Sequence, residues 1–163
     1  MLIDKIINNN IVSAIEEDGT EIVVMGRGIG FGVKAGAVIP DTKIEKVFRL
    51  DSQNSLDRFK ELLANLPLEH LQVSAEIINY AKDVLNRRIN ENIYITLTDH
   101  INFAIHRFRQ KIRFSNPLLS EIKTFYKEEY LIGEYAIALI QRKIGVDLPV
   151  DEAGFIALHI VNA

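Results

Sequence analysis

The hydrophobic period of this chain changes once, at Asp51, and that change limits the folds open to it. Up to Leu50 the sequence is a series of short β-type segments separated by turn residues. From Asp51 onward apolar residues recur at helical spacing. Strands gathered first and helices afterwards predict an α+β chain with a small antiparallel sheet leading into an all-α bundle, not an alternating α/β fold.

Leu2–Ile7 and Ile11–Glu16 flank Asn8-Asn9-Asn10, a triplet suited to a turn because Asn tolerates left-handed backbone. Ile11–Glu16 and Glu21–Met25 flank Glu17-Asp18-Gly19-Thr20, and Asp-Gly between β-rich runs is a strong hairpin signal. A last strand, Lys43–Leu50, follows Pro40-Asp41. About 50 residues of antiparallel sheet are too few to bury a comfortable core alone. Dimerisation of this module is therefore expected.

Downstream, Asn54 or Ser55 can cap a helix carrying Leu56, Phe59, Leu62 and Leu63, which stops before Pro67. Further helices are expected from Leu68 or Ser74 to Leu85, from Ile95 to Gln110, near Leu118–Tyr130, over Ile132–Ile144, and from Asp151-Glu152 onward. That is a bundle of five or six helices. The division falls near residue 55, giving modules 1–55 and 56–163.

The 163 residues carry a net charge of −3, which supplies no global field for nucleic acid; such a partner would have to be held by local basic and aromatic groups. With no cysteine, disulfides and thiolate metal sites are excluded, which fits a reducing cytoplasm. No apolar run approaches a membrane span, so no membrane partner is expected.

Gly26-Arg27-Gly28-Ile29-Gly30-Phe31-Gly32 places a glycine at every second position. As a phosphate loop it fails, because Gly36 and Pro40 stand where a helix should begin and no Gly-Lys-Ser/Thr follows. Two readings remain. The glycines can let backbones approach closely. Alternatively, Arg27 can reach a phosphate or guanine edge while Phe31 stacks on a base.

In the helical part, Leu97, Ile101, Ala104, Ile105 and Phe108 form one apolar stripe. At about 100° per residue His100 falls at its edge, on the same flank as Arg107. His159 sits in the apolar run Phe155–Val161, whose helix reads as buried nearly all round. His106 and His70 read as solvent-facing. No His-x₃-His or His-Glu-x-x-His spacing supports a metal, no serine sits in a nucleophile elbow, and no cofactor or catalytic function is expected. The run Arg107–Arg113 is read as a solvated helix end in preference to a second nucleic-acid patch.

Lys5–Asn10, Val24–Phe31 and Ile44–Phe48, in this order and spacing, resemble the co-antiterminator RNA-binding domain of bacterial β-glucoside and sucrose operon antiterminators. Leu97–Ile105 and Asp151–Ala163 resemble the same family's phosphotransferase-system regulation domain (PRD). The resemblance covers the whole chain. It implies a dimeric sheet that binds an RNA hairpin in leader mRNA, with Lys5, Asn10, Gly26, Arg27 and Phe31 at the positions that touch RNA. It also implies that His100 and His159 match histidines phosphorylated by a phosphocarrier or sugar permease domain of the phosphotransferase system. A cytoplasmic homodimer is the expected form. Family members usually carry two PRDs, so the sequence is read as a fragment. The alternatives are a phosphohistidine relay protein and a DNA-binding activator, although no helix-turn-helix lies at the N-terminus. A phosphoryl acceptor must offer a neutral ring nitrogen, and a histidine of ordinary pKa, about 6.5, does so. Both histidines are expected to share one cleft.

Overall fold

Alternation of apolar and polar residues across the Asn8–Asn10 and Asp18-Gly19 turns produces a meander. In the computed structural model, which describes all 163 residues, the strands β1 (Ile3–Asn8), β2 (Ile11–Ile15), β3 (Glu21–Met25) and β4 (Lys46–Phe48) pair antiparallel in that order. The β2–β3 turn is made as its sequence demands. Gly19 takes φ +87°, and the Asp18 carboxylate accepts from the Thr20 amide at 2.9 Å. Register sets Val12 opposite Val24, Ala14 opposite Ile22, and Val23 opposite Phe48.

Since side chains alternate across a strand, the sheet has two apolar faces, and both are covered. Val12, Ala14, Ile22 and Val24 pack beneath Ile29 and Ile39 from the long β3–β4 connection. The opposite face carries Ser13, Val23 and Phe48, all buried. Its cover is α1 (Gln53–Ala64), whose Phe59 meets Phe48 edge-on at 5.1 Å between ring centroids. Three polar contacts hold the helix there, one of them from Gln53 Nε2, which donates to Glu21 Oε1 at 2.8 Å. Lys60 Nζ donates to Glu21 Oε2 at 2.6 Å, and Asn8 Nδ2 donates to the Leu63 carbonyl at 3.0 Å. The cap of α1 is Ser52, whose Oγ accepts from the Ser55 amide, not Asn54 or Ser55. The helix thus begins earlier than the cap residues of the sequence suggested, and it belongs to the first of two compact units, Met1–Leu68.

The second unit, Glu69–Ala163, is a bundle of α2 (Leu68–Leu85), α3 (Ile93–Arg109), α4 (Leu119–Phe125), α5 (Lys127–Ile144) and α6 (Val150–Val161). The α4–α5 break comes at Tyr126, several residues before the expected one. Tyr126 leaves helical geometry at φ −128°, ψ 57°, and its carbonyl then accepts from the Tyr130 amide to start α5. Gly145 closes α5 in the left-handed conformation at φ +80°, the usual glycine stop. The stripe of α3, Leu97, Ile101, Ala104 and Ile105, is buried, as are Ala153, Ile156, Ala157 and Ile160 of α6. Phe108 departs from expectation. It is 41% exposed, because the buried stripe ends one turn before it. No helix is long and apolar enough to cross a membrane.

Candidate functional site

Helix α3 sets His100 and Arg107 two turns apart on one flank, and α6 sets Glu152 and His159 at the same spacing. The structure brings the two pairs together. Glu152 Oε2 lies 2.9 Å from His100 Nε2, and its Oε1 accepts from an Arg107 guanidinium nitrogen at 2.7 Å. The Glu152 side chain is only 5% exposed, against 16% for His100 and 14% for Arg107. Burial pushes the Glu152 carboxyl up, but the His100 contact and then the Arg107 contact outweigh it and hold it below the ordinary carboxylate value. An ionised carboxylate can only accept, so His100 Nε2 carries the proton and, in the neutral ring, Nδ1 keeps the lone pair.

His159 stands beside this triad, its ring centroid 4.8 Å from that of His100. The two histidines therefore share one site, as expected. Burial, with the neighbouring His100 as the next cause, pushes the His159 pKa down to about 4, so the ring is neutral at physiological pH. Its helix is less enclosed than its sequence suggested, and the residue is half-buried.

Arg107 is held from three directions. Besides Glu152, its guanidinium lies 4.8 Å from the Phe103 ring centroid and 4.5 Å from that of Phe114. It also lines a cleft of about 690 Å³ with Phe108, Arg109, Lys111, Arg113 and Phe114. The run Arg107–Arg113 is thus in part a cleft wall and not simply a solvated helix end.

The sequence places two other histidines in solvent. His106 is exposed. His70 is not: it is 5% exposed, and its Nδ1 lies 2.8 Å from Asn102 Oδ1. The Leu68 helix buries it on the face that meets α3, and desolvation lowers its pKa. The residue most clearly missed is Glu152, which looked like an ordinary acidic helix start. The signal available was the repeated seven-residue spacing, His100 to Arg107 and Glu152 to His159.

In the first unit, Lys5, Arg27 and Phe31 are exposed, Phe31 at 69%. Asn10 and Gly26 are placed differently. Asn10 Oδ1 accepts from the Gly28 amide at 2.9 Å, and the Asn10 carbonyl accepts from the Gly26 amide at 2.9 Å. A Cβ on Gly26 would collide with the Lys43 carbonyl, and one on Gly30 with the Asn8 carbonyl. Close backbone approach accounts for these two glycines, and the result is a pinned loop that presents Arg27 and Phe31.

Two family models divide this architecture between them. The CAT RNA binding domain matches residues 1–57, and the PRD domain matches residues 75–163, more than half of the chain. The chain belongs to the PRD family. It is 52% identical over its full length to the transcription antiterminator LicT of Bacillus subtilis (strain 168). It is 45% identical over its full length to the beta-glucoside operon antiterminator of Dickeya chrysanthemi. It spans 59% and 58% of those two proteins. The crystal structure of GlcT CAT-PRDI superposes with a TM-score of 0.86 at 40% identity, covering 99% of this chain and 96% of that one. The α+β order of sheet followed by helical bundle is thus the architecture of a CAT-PRD pair.

Proposed function

We propose that this chain acts as an RNA-binding transcriptional antiterminator whose PRD is controlled by phosphorylation on histidine. Residues 1–55 would stabilise an antiterminator hairpin in a sugar-operon leader mRNA. Residues 56–163 would take phosphoryl groups on His100 and His159 from a phosphocarrier or sugar permease domain of the phosphotransferase system. LicT and the Dickeya protein are antiterminators, which supports the reading, as does the match to the CAT RNA binding domain. The proposed form is a cytoplasmic homodimer, and the role is regulatory, not catalytic.

The observation that carries the RNA assignment is Phe31. A phenyl ring left 69% exposed beside Arg27, on a loop pinned by Asn10 and two crowded glycines, adds nothing to the core. It is suited to stacking on an unpaired base, with Arg27 and Lys5 reaching phosphate or base edge. In this reading Asn10 and Gly26 act by shaping the loop.

The test is a titration of the chain against a candidate leader hairpin and against duplex DNA of equal length. The hairpin should bind tighter. Phe31→Ala should remove about 1–3 kcal/mol of that binding without altering unfolding. Arg27→Ala should flatten the salt dependence by about one phosphate contact. Equal affinity for hairpin and duplex, or an unaffected Phe31→Ala variant, overturns the assignment.

A further inference from the structure

We propose that His100 and His159 form a single phosphoryl site of unit occupancy, in which either ring can accept the group and acceptance by one closes the other. This rests on the phosphorylation reading above and extends it from two modifiable residues to one shared position.

The ring centroids are 4.8 Å apart at an interplanar angle of 45°. A phosphoryl group on either ring therefore lies within about one screening length, about 8 Å at physiological ionic strength, of the other ring. Each group carries roughly −1.5 to −2 charges at neutral pH. Glu152, 5% exposed and in contact with His100, adds a further negative charge. Asp99 and Asp151 lie on the same two helices. Against this stands the one cation within the triad, Arg107, in contact with Glu152. Arg109, Lys111 and Arg113 line the neighbouring cleft but are solvent-exposed. One phosphoryl group can be matched if Arg107 turns from Glu152 to share it. A second would be left to solvent and to the exposed cations of the neighbouring cleft, with no further buried cation to match it.

The chemistry closes the second ring as well. In the transfer, the donor's phosphohistidine N–P bond breaks and that nitrogen keeps the electron pair. A new P–N bond forms on the lone pair of the acceptor ring, the proton on that ring's other nitrogen is given up and one is taken by the donor ring, and nothing is oxidised or reduced. His159 keeps its lone pair available because burial holds its pKa near 4. Once His100 carries a dianion at this distance, the same ring is drawn toward its protonated form. An imidazolium has no lone pair with which to accept. The electrostatic coupling is reciprocal, so phosphorylation of His159 acts on His100 in the same way.

The test uses potassium phosphoramidate, a small phosphoryl donor that needs no protein recognition, on the full chain carrying His106→Ala to remove the exposed histidine. Intact-mass spectrometry at neutral pH counts phosphoryl groups, and peptide mapping places them. Labelling should stop at one group per chain, divided between His100 and His159. The doubly labelled species should stay below about one molecule in a hundred, a coupling of at least about a hundredfold. His100→Asn and His159→Asn should each still accept one group, and the double variant none. Two groups on one molecule overturn the proposal. So does labelling confined to the same single histidine in every background. The count on the chain that keeps both His100 and His159 depends on no substitution within the site. If phosphoramidate gives one group while a phosphohistidine carrier protein gives none, the regulatory reading fails and unit occupancy stands.

Discussion

Replacing Glu152 probes the site through its central residue. The carboxylate makes two charge-assisted hydrogen bonds, 2.9 Å to His100 and 2.7 Å to Arg107, from a side chain that is 5% exposed. Bonds to charged groups contribute about 1.5–3 kcal/mol each. Truncating one member of a fully buried pair costs about 3–5 kcal/mol. Arg107 is 14% exposed and stays between Phe103 and Phe114, so it recovers part of the loss through water and ring contacts. Glu152→Ala should therefore destabilise the helical unit by about 2–3 kcal/mol. Glu152→Gln should destabilise it by about 1 kcal/mol, since an amide can still accept from one partner. The assay is urea unfolding followed by the helical circular dichroism signal at neutral pH. A cycle with Arg107→Ala should give a coupling of about 0.5–3 kcal/mol. Because the folded-state pKa of Glu152 is depressed, its contribution is complete above the ordinary carboxylate value of 4.5 and disappears as pH falls through the lowered one. The gap between wild type and Glu152→Gln should then shrink only in acid. A Glu152→Ala loss below about 0.5 kcal/mol at neutral pH would refute the view that this carboxylate holds the site together.

Acid should act on His159 too. Its folded pKa of about 4 lies below the ordinary 6.5, so the stability it contributes is complete above pH 6.5 and lost as pH falls toward 4. The full shift is worth about 3 kcal/mol, and screening at a half-buried ring reduces it to about 1–2 kcal/mol, readable as a smaller pH slope in His159→Asn. Gly30→Ala should cost more than about 2 kcal/mol and weaken RNA binding with it, because the new Cβ meets the Asn8 carbonyl, and thermal unfolding with a hairpin titration checks both. Phe59→Ala should cost about 3–5 kcal/mol, seen as faster hydrogen exchange across β2, β3 and β4, since Phe59 is wholly buried against Phe48.

The strands and the α3 stripe were legible because short-range rules specify them. Asp18-Gly19 fixes a hairpin, and Leu97, Ile101, Ala104 and Ile105 can face only one way on a helix. What escaped depends on contacts between distant residues. Nothing local in Glu152 distinguishes an acid that starts a helix from one that reaches across to His100 and Arg107. His70 looked like a surface residue beside Pro67 because its partner, Asn102, lies on another helix. Phe108 continued the α3 periodicity, but periodicity does not say where the neighbouring helices stop. The α1 cover was hidden for a similar reason. An amphipathic helix shows which face it buries, not what it buries it against.

That cover has a consequence for how the sheet meets other molecules. Phe48 ends β4 and Gln53 begins α1, so α1 acts as a ligand tethered by a few residues to its own binding face. Tethers this short give effective concentrations of order millimolar. A second copy arriving at micromolar concentration on the Val23–Phe48 face would have to bind roughly a thousandfold more tightly than α1 does to take its place. Cutting the chain at residue 55 removes that competitor. The shortened module would offer an apolar face that the longer chain keeps covered, and its self-association would overstate that of the longer chain.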